Sequence, residues 1–433
     1  MHRRAPLGAA RLTGVADMEK YRKAIYLFAV LCLLLGIALT SCGREQENPP
    51  DGEPESPATS GETLRPSYEP PDESPGKTPV SSAPAQPSAP PPRLVEYDGV
   101  VEHLFFHEVI AYPELAFNGN SMQRGYDQNM VTVGEFNKML ESIYENGYIL
   151  VDLNDVWSEY AQEDGSVRMQ RNTLMIPEGK KPLVLSFDDI SFYEYMRHDG
   201  FMEKLIIGSD GEIWATGYDP DGNEVVSQDF TVVTILDRFV REHPDFSLDG
   251  VKGCIALTGY EGILGYRTQT DRDIDTEAFR MNRMQEVARV RPVIQRLHET
   301  GWYFATHSFG HINLENASLD RVRDDAMRWL DEVGSLVGET QIFIYPFGTR
   351  LDGGDVYETG PAFRMYHELG FRIFASVGIE PFSRIKPDIA AVVCDRMHAD
   401  GITLRGERGR YMKFYDASEV FDPLRPAEYG RSW

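Results

Sequence analysis

From about Leu94 onward, segments with strand patterns alternate with segments with helix patterns, and this alternation constrains the fold more than any other feature. The apolar run that ends at Asp188 predicts a buried strand. Residues 132–147 predict an amphipathic helix with a capping box at Thr132 and Glu135. Six or seven such strands with helices between them favour an α/β fold with parallel strands, closed into a barrel. In such barrels the chemistry lies where strands end and loops begin.

The charge of the chain excludes some partners. The 433 residues carry a formal net charge of −25, which argues against nucleic acid and against adhesion to anionic polymers. We therefore expect no nucleic-acid partner. Hydrophobic residues make up 42% of the chain, enough for a sizeable core.

The N-terminal residues predict an export signal. Lys20, Arg22 and Lys23 precede a short apolar run that ends in Leu39–Cys42, Leu-Thr-Ser-Cys. This ending resembles a bacterial lipobox, which makes residues 1–42 a lipoprotein signal peptide and Cys42 the lipid-bearing residue. The implied location is the outer face of the bacterial cytoplasmic membrane, with the lipid as the membrane contact. The alternative is an uncleaved membrane anchor.

Composition divides the rest of the chain. Residues 43–93 are rich in Pro, Ser and Glu and predict a disordered, semi-extended linker. Residues 94–433 form the predicted barrel domain, with a hairpin-rich insertion at about 192–247. Aromatic side chains of the insertion could stack on sugar rings or pack a small core of their own, and the second interpretation is slightly favoured. Cys254 and Cys394 predict two buried free thiols, with a disulfide as the alternative.

Three predicted strand ends carry polar or unusual residues. Asp188 and Asp189 follow the first, His307 and His311 the second, and Tyr345–Gly348, Tyr-Pro-Phe-Gly, the third. The two histidines would share one face if their segment were helical. Two histidines and one carboxylate can hold a divalent metal, and a second carboxylate can deprotonate water beside it.

Each of these signals has a simpler interpretation. The acid pair could be a turn, the histidines structural, and the third segment a tight turn. Together, in this order and each at a strand end, they are much more specific. A glycosidase with paired carboxylates is a further alternative, but adjacent acids beside two histidines suit a metal better.

The motifs resemble those of the polysaccharide deacetylases, carbohydrate esterase family four, whose fold is the NodB-homology barrel. The family motif T-F-D-D-G corresponds to Ser186–Ile190, H-[ST]-x-x-H to His307–His311, and a Pro-aromatic pair to Pro346 and Phe347. The likeness covers most of residues 96–433, apart from the insertion. It implies a distorted (β/α) barrel of the NodB-homology type.

The resemblance also implies roles for residues. Asp188 would be the general base on a metal-bound water. Asp189, His307 and His311 would hold the divalent metal, with zinc favoured. The backbone N–H of Phe347 would help bind the oxyanion. The implied enzyme is a hydrolase that removes N-acetyl groups from a cell-wall or extracellular glycan containing N-acetylglucosamine, so an acetylated glycan is the expected partner.

Some positions depart from the family pattern. Ile190 replaces a glycine, and Ile344 stands where an arginine is usual, so Arg396 is offered as the arginine that steadies the base. His398 lies near the place of the general acid, but the poor local match favours an exposed loop residue. Further candidates for substrate contact are His107, Tyr260, Arg267, Tyr345 and Pro346; His107 could equally be a core histidine.

The missing arginine and the poorly matched acid motivate a second functional hypothesis. In it, the same barrel is a catalytically weak or inactive lipoprotein that binds a cell-surface glycan. Catalytic turnover separates this hypothesis from the deacetylase.

Overall fold

The computed structural model describes residues 92–353 and 359–427. The predicted signal peptide, the lipidation site Cys42 and nearly all of the predicted linker lie outside these residues. Within the described ranges, no helix is both long enough and apolar enough to cross a bilayer.

Sixteen strands are present in the described part of the chain. In chain order they are β1 (Leu94–Tyr97), β2 (Glu102–Phe106), β3 (Tyr148–Leu150), β4 (Trp157–Ala161), β5 (Val167–Arg171), β6 (Leu174–Pro177), β7 (Lys181–Asp188), β8 (Met202–Ile207), β9 (Ile213–Tyr218), β10 (Glu224–Ser227), β11 (Gly253–Leu257), β12 (Trp302–Thr306), β13 (Ile342–Ile344), β14 (Ile373–Gly378), β15 (Phe382–Ile385) and β16 (Val392–His398).

The same residues form twelve α-helical segments. They are α1 (Pro113–Ala116), α2 (Gln123–Asn129), α3 (Val133–Glu145), α4 (Leu153–Val156), α5 (Val232–Glu242), α6 (Glu277–Glu299), α7 (Leu319–Trp329), α8 (Ser335–Val337), α9 (Pro361–Glu368), α10 (Gly401–Gly406), α11 (Arg408–Tyr411) and α12 (Ala417–Val420).

Seven parallel strands close into a barrel. The hydrogen-bonded order is β7-β11-β12-β13-β14-β16-β2, and β2 pairs with β7 to complete the ring. Strand β3 adds to the first half of β7, whereas β11 pairs with its second half. Pairing is sparse at β12–β13, with one residue pair, and at β16–β2, with two. The predicted barrel and its distortion are confirmed.

Small and branched side chains fill the barrel interior. Neighbouring residues in parallel register point to the same face, so Asp188, Ala256 and Ala305 point inward together. Cys254 and Cys394 belong to the same buried cluster and are both free thiols, as predicted. The α4 helix and the β4–β5 hairpin, which the sequence did not predict, contribute to this cluster near the start of the strands.

The helix predicted at 132–147 begins and ends as expected. Thr132 accepts a hydrogen bond from the N–H of Glu135, and the Glu135 carboxylate accepts one from the N–H of Thr132. This reciprocal pair satisfies two N–H groups that a helix start would otherwise leave unpaired. Gly147 follows the helix with φ 79°, a conformation that glycine adopts without strain.

The insertion contains the predicted hairpins. Strands β8, β9 and β10 form an antiparallel sheet, with Asp-Gly turns that place Gly211 and Gly222 at φ 81°. Leu205, Ile213 and Ala215 are buried in the main core, together with residues of α5. The insertion therefore packs against the barrel as well as within itself.

Candidate active site

The carboxyl ends of the barrel strands meet around one cleft. Its volume is about 470 Å³. Among its lining residues are the following from the strand ends and adjacent loops: Phe105, His107, Asp188, Asp189, Tyr195, His307, His311, Tyr345, Phe347, Val377 and His398. The structure thus brings together all three motifs that the sequence singled out.

The two adjacent acids point to different places. Asp188 is the last residue of β7, and its side chain is almost fully buried in the barrel. Asp189 has φ 62°, and its N–H donates to the carbonyl of Ala256. This left-handed turn, which aspartate tolerates better than most residues, directs the Asp189 carboxylate toward the histidines.

Asp189, His307 and His311 form a group that could hold a metal. Their ligand atoms all lie within 4.8 Å of one another. Asp189 Oδ2 is 3.9 Å from His307 Nε2 and 3.7 Å from His311 Nε2. Zinc binds such atoms at about 2.0–2.2 Å, which needs donors roughly 3–4 Å apart. One carboxylate oxygen and two imidazole nitrogens at this spacing fit a divalent transition metal.

His307 is oriented for this role by the backbone. Its Nδ1 lies 3.0 Å from the carbonyl oxygen of Ile344, and the side chain is 2% exposed. Since a carbonyl only accepts, Nδ1 must carry the proton, which leaves the Nε2 lone pair toward Asp189. Metal-binding histidines commonly donate their other N–H in this way.

The segment between the two histidines is not helical. Ser308 and His311 have φ values of 61° and 48°, and two left-handed turns bring the imidazoles to a centroid separation of 5.0 Å. The Asp325 carboxylate accepts the N–H groups of Phe309 and Gly310, each at 2.8 Å. The two histidines were expected to share one face if this segment were helical, and the segment is not helical. Their side chains meet because of the two turns.

A buried ion pair holds Asp188. Arg396 donates from Nη1 to Asp188 Oδ1 at 2.7 Å and from Nη2 to Oδ2 at 2.9 Å, and its side chain has no exposed surface. Burial opposes ionisation of Asp188, but Arg396, with a smaller contribution from His307, holds the pKa of the carboxyl well below its usual range. Arg396 thus makes the contact suggested for it from the sequence.

Arg396 is in turn supported from two sides. Its Nη1 donates to Ser186 Oγ at 3.1 Å, and Ser186 Oγ lies 2.9 Å from His103 Nε2. The guanidinium also lies over the ring of Phe105 at 4.0 Å, and the same ring stacks on His398 at 4.2 Å. Phe105 therefore separates the arginine that holds Asp188 from the histidine at the strand end.

His398 is part of a His–Asp pair. It ends β16 with a side chain only 15% exposed, so its interpretation as an exposed loop residue is wrong. Its Nδ1 lies 2.8 Å from Asp400 Oδ2. Asp400 also caps α10 through the N–H of Thr403, which fixes the carboxylate. Burial would raise the pKa of Asp400, but His398 keeps it below the usual value.

His107 faces the cleft, which removes the core alternative. Its Nδ1 lies 3.0 Å from both the Asn129 carbonyl oxygen and His398 Nε2, and its Nε2 is 4.0 Å from Asp189 Oδ2. Because the carbonyl can only accept, Nδ1 carries a proton. Burial and the neighbouring His398 lower the pKa of His107 to about 4, so the ring is neutral near pH 7.

The third motif forms one wall of the cleft. Tyr345 is buried, whereas Phe347 is 65% exposed and its ring contacts His311 at a centroid distance of 4.3 Å. Phe347 has φ 57°, so the backbone turns sharply after Pro346. Gly348 has φ 66°, and a Cβ there would lie 2.9 Å from Val377. A glycine is therefore required at this turn.

Three of the candidates for substrate contact do not line the cleft. Tyr260 stacks on Tyr193, and Pro346 is buried at the start of the third-motif turn. Arg267 binds the carbonyl oxygens of Phe192 and Glu261. Ile190, which replaces the family glycine, is fully buried in the core.

The sequence analysis missed Asp325, Asp400, Phe105 and the hydrogen bond from Tyr193 to Asp189. Of these, only Asp400 left a usable signal, since an Asp three residues before Thr403 is a helix-capping pattern.

Comparison with known proteins gives distant structural similarity. No family model and no curated protein match the chain. The Streptococcus pyogenes deacetylase PplD in complex with acetate is 13% identical, with 76% of this chain and 100% of that chain covered and a TM-score of 0.38. A polysaccharide deacetylase from Bacillus cereus is 12% identical, with 70% of this chain and 65% of that chain covered and a TM-score of 0.37. IcaB from Ammonifex degensii is 11% identical, with 69% of this chain and 91% of that chain covered and a TM-score of 0.34. The solved structures to which this α/β barrel is similar thus include deacetylases.

Proposed function

We propose that this protein is a divalent-metal-dependent hydrolase that removes N-acetyl groups from a glycan containing N-acetylglucosamine. One observation carries the proposal. A possible metal triad, a buried ionised carboxylate and a His–Asp pair all face the same cleft. Hydrolysis of an amide needs these three functions, which are polarisation of the carbonyl, removal of a proton from water and protonation of the leaving amine.

A metal held by Asp189, His307 and His311 would act as a Lewis acid and lower the pKa of the attacking water. We assign the base to Asp188. Arg396 keeps this carboxylate ionised at neutral pH and fixes its orientation through two hydrogen bonds. The strongly lowered pKa of Asp188 makes this carboxylate a weak base. It would therefore take a proton only from a water whose own pKa a bound metal had lowered.

We assign the general acid to His398. The Asp400 carboxylate accepts the Nδ1–H of His398 and fixes this tautomer, so the proton for the leaving nitrogen would be a second one, carried on Nε2. In the reaction a water oxygen bonds to the acetyl carbon, the C–N bond breaks, and the departing nitrogen takes a proton from His398. Asp188 holds the proton from the water, acetate leaves, and a free amine remains on the sugar.

We place the oxyanion near the backbone N–H of Phe347, with His107 and Tyr345 contacting the substrate from the cleft wall. The exposed position of Phe347 beside His311 supports this placement. Zinc is the favoured ion, because the donor set combines nitrogen and oxygen.

We rank the glycan-binding alternative second. It rests on the missing arginine and the poorly matched acid of the family pattern, whereas the contact of Arg396 with Asp188 and the pairing of His398 with Asp400 support the hydrolase.

We also propose that the protein is exported and lipid-anchored through Cys42, which would place the barrel beside cell-surface glycans. This part depends on the sequence of residues 1–42. A Cys42→Ser variant should leave the membrane fraction of the producing cells; retention there would contradict the lipid anchor.

The deciding experiment is acetate release by the full chain in detergent, from N-acetylglucosamine oligomers and peptidoglycan fragments. Zinc or cobalt is added after treatment with a chelator. We expect release that requires metal and is lost in Asp188→Asn, while that variant still binds metal. Full activity of Asp188→Asn would refute the assignment of the base. No release by the metal-loaded wild type from any substrate would refute the proposed reaction for these glycans.

A further inference from the structure

Three tyrosine rings form a column beside the candidate active site. Tyr193 stacks on Tyr195 with centroids 5.4 Å apart and an interplanar angle of 14°. It also stacks on Tyr260, at 5.0 Å and 15°. Tyr195 and Tyr260 each contact the same central ring in nearly parallel fashion. The column is thus a set of aligned flat surfaces.

The middle ring is tied to the metal-ligand group. The Tyr193 hydroxyl donates to Asp189 Oδ1 at 2.5 Å and lies 2.6 Å from Thr258 Oγ1, which can donate to it in return. Tyr193 is 3% exposed. Two short hydrogen bonds and burial fix the ring, so the position of the column relative to Asp189 is fixed as well.

The segment that carries Tyr195 is also anchored. Arg267 donates to the carbonyl oxygen of Phe192 at 2.8 Å, to that of Glu261 at 2.7 Å and to the Glu194 carboxylate at 2.9 Å. The N–H of Glu194 donates to the Glu261 carboxylate at 2.7 Å. These bonds join the start of the insertion, which carries Tyr193 and Tyr195, to the loop at 259–267, which carries Tyr260.

Tyr195 nevertheless leaves a large aromatic surface exposed. Its side chain is 49% exposed, in contrast to its stacking partner Tyr193, and it lines the same cleft as Asp188, Asp189 and the two histidines. Tyr193 stacks on one face of the ring, so the exposed surface belongs to the rest of the side chain. A rigid, preorganised aromatic ring can bind a ligand at little entropic cost.

We propose that Tyr195 forms a second sugar subsite, which binds the unit next to the one that loses its acetyl group. This inference rests on the proposed function. A pyranose has apolar C–H faces, which suit a flat aromatic ring in a partly wet cleft. Asp189 binds the hydroxyl at the edge of Tyr193, whereas Tyr195 stacks on the face of that ring, so Tyr195 lies to the side of Asp189 and a sugar on it would be a neighbour of the reacting one. A substrate that uses this subsite has at least two sugar units.

The test compares chain lengths. Acetate release is measured with N-acetylglucosamine and with its pentamer, for the full wild-type chain and the variants Tyr195→Ala and Tyr195→Phe. Tyr160→Ala is the matched control, because Tyr160 is 39% exposed on the β4–β5 hairpin and does not line the cleft. We expect Tyr195→Ala to lower kcat/KM for the pentamer about tenfold and to leave the monomer unchanged. Tyr195→Phe and Tyr160→Ala should stay within about twofold of the wild type.

An equal loss on monomer and pentamer, or no loss on either, would overturn the subsite. If the wild type releases no acetate at all, the proposed function fails, and binding decides the subsite separately. Titration calorimetry then compares pentamer binding by the wild type and by Tyr195→Ala. About tenfold weaker binding by the variant supports the subsite, whereas equal binding or none by either protein overturns it.

Discussion

The buried pair of Arg396 and Asp188 gives the sharpest prediction. In Arg396→Met the guanidinium is removed while much of the side-chain volume stays. Asp188 then remains in the barrel without its two strongest hydrogen bonds, since Arg396 supplies a bond to each carboxylate oxygen. Removing one partner of a fully buried ion pair typically costs about 3–5 kcal/mol of unfolding free energy. We expect a loss in this range at about pH 8.

The loss should depend on pH. In the wild type the pKa of folded Asp188 lies below its unfolded value, so this carboxylate stabilises the fold above about pH 4, and that contribution disappears as the pH falls further. In the variant, burial is no longer opposed by Arg396, so the pKa of Asp188 should rise above its unfolded value. The variant then loses stability as the pH rises from about 4. The gap between the two proteins should therefore widen from about pH 5 to about pH 8.

The assay is urea unfolding followed by circular dichroism at both pH values, with a chelator present to keep the triad free of metal. Arg272→Met is the control, because Arg272 pairs with Asp324 while both side chains are more than half exposed. That control should cost less than about 1 kcal/mol. The double variant Arg396→Met with Asp188→Leu should recover much of the loss, since it removes the unpaired charge.

Equal losses at the two pH values, or a loss at about pH 8 no greater than that of Arg272→Met, would refute this account of the pair. An Arg396→Met loss that persists unchanged in the double variant would show that packing, and not the unpaired carboxylate, is responsible.

Three further predictions concern the proposed metal ligands, the proposed general acid and a helix start. His307→Gln should weaken zinc binding by the full chain at least about 100-fold, measured by competition with a chelating dye, and unchanged affinity would contradict its place in the triad. His398→Gln should lower kcat for acetate release by about 10²–10⁴ while zinc affinity stays the same; a normal rate would move the general acid elsewhere. Thr132→Ala should lower the unfolding free energy by about 1 kcal/mol in urea titrations without a change in kcat, because it removes one bond of the capping box; a changed kcat would mean that the helix start affects the site.

The barrel and the meeting of Asp189, His307 and His311 could be predicted because their signals are local. Each strand is a short apolar run in the sequence, and parallel strands in one ring place their carboxyl ends together. Asp189 and the two histidines follow such runs directly, so their meeting needed only the correct fold class. The closed ring of seven strands confirms this reasoning.

Other parts of the site depend on contacts between distant segments. Phe105 reaches His398 and Arg396 because β2 and β16 pair in a register that sets His398 beside Phe105. No local pattern encodes that register. The left-handed turns at Ser308 and His311 were missed for a related reason, since the Asp325 carboxylate that holds the loop comes from α7.

The spacing on β16 has a consequence for how the chain can change. Arg396 and His398 are two residues apart on one strand, and Asp400 follows after two more. Side chains two residues apart on a strand point to the same face. The backbone of β16 therefore sets the directions of both the Arg396 guanidinium and the His398 imidazole. Any shift of β16 moves both together and preserves their mutual alignment. A single residue inserted between Val392 and Arg396 would instead turn both away from the barrel interior at once, so length variation in this protein should be tolerated before Val392 and excluded within the strand.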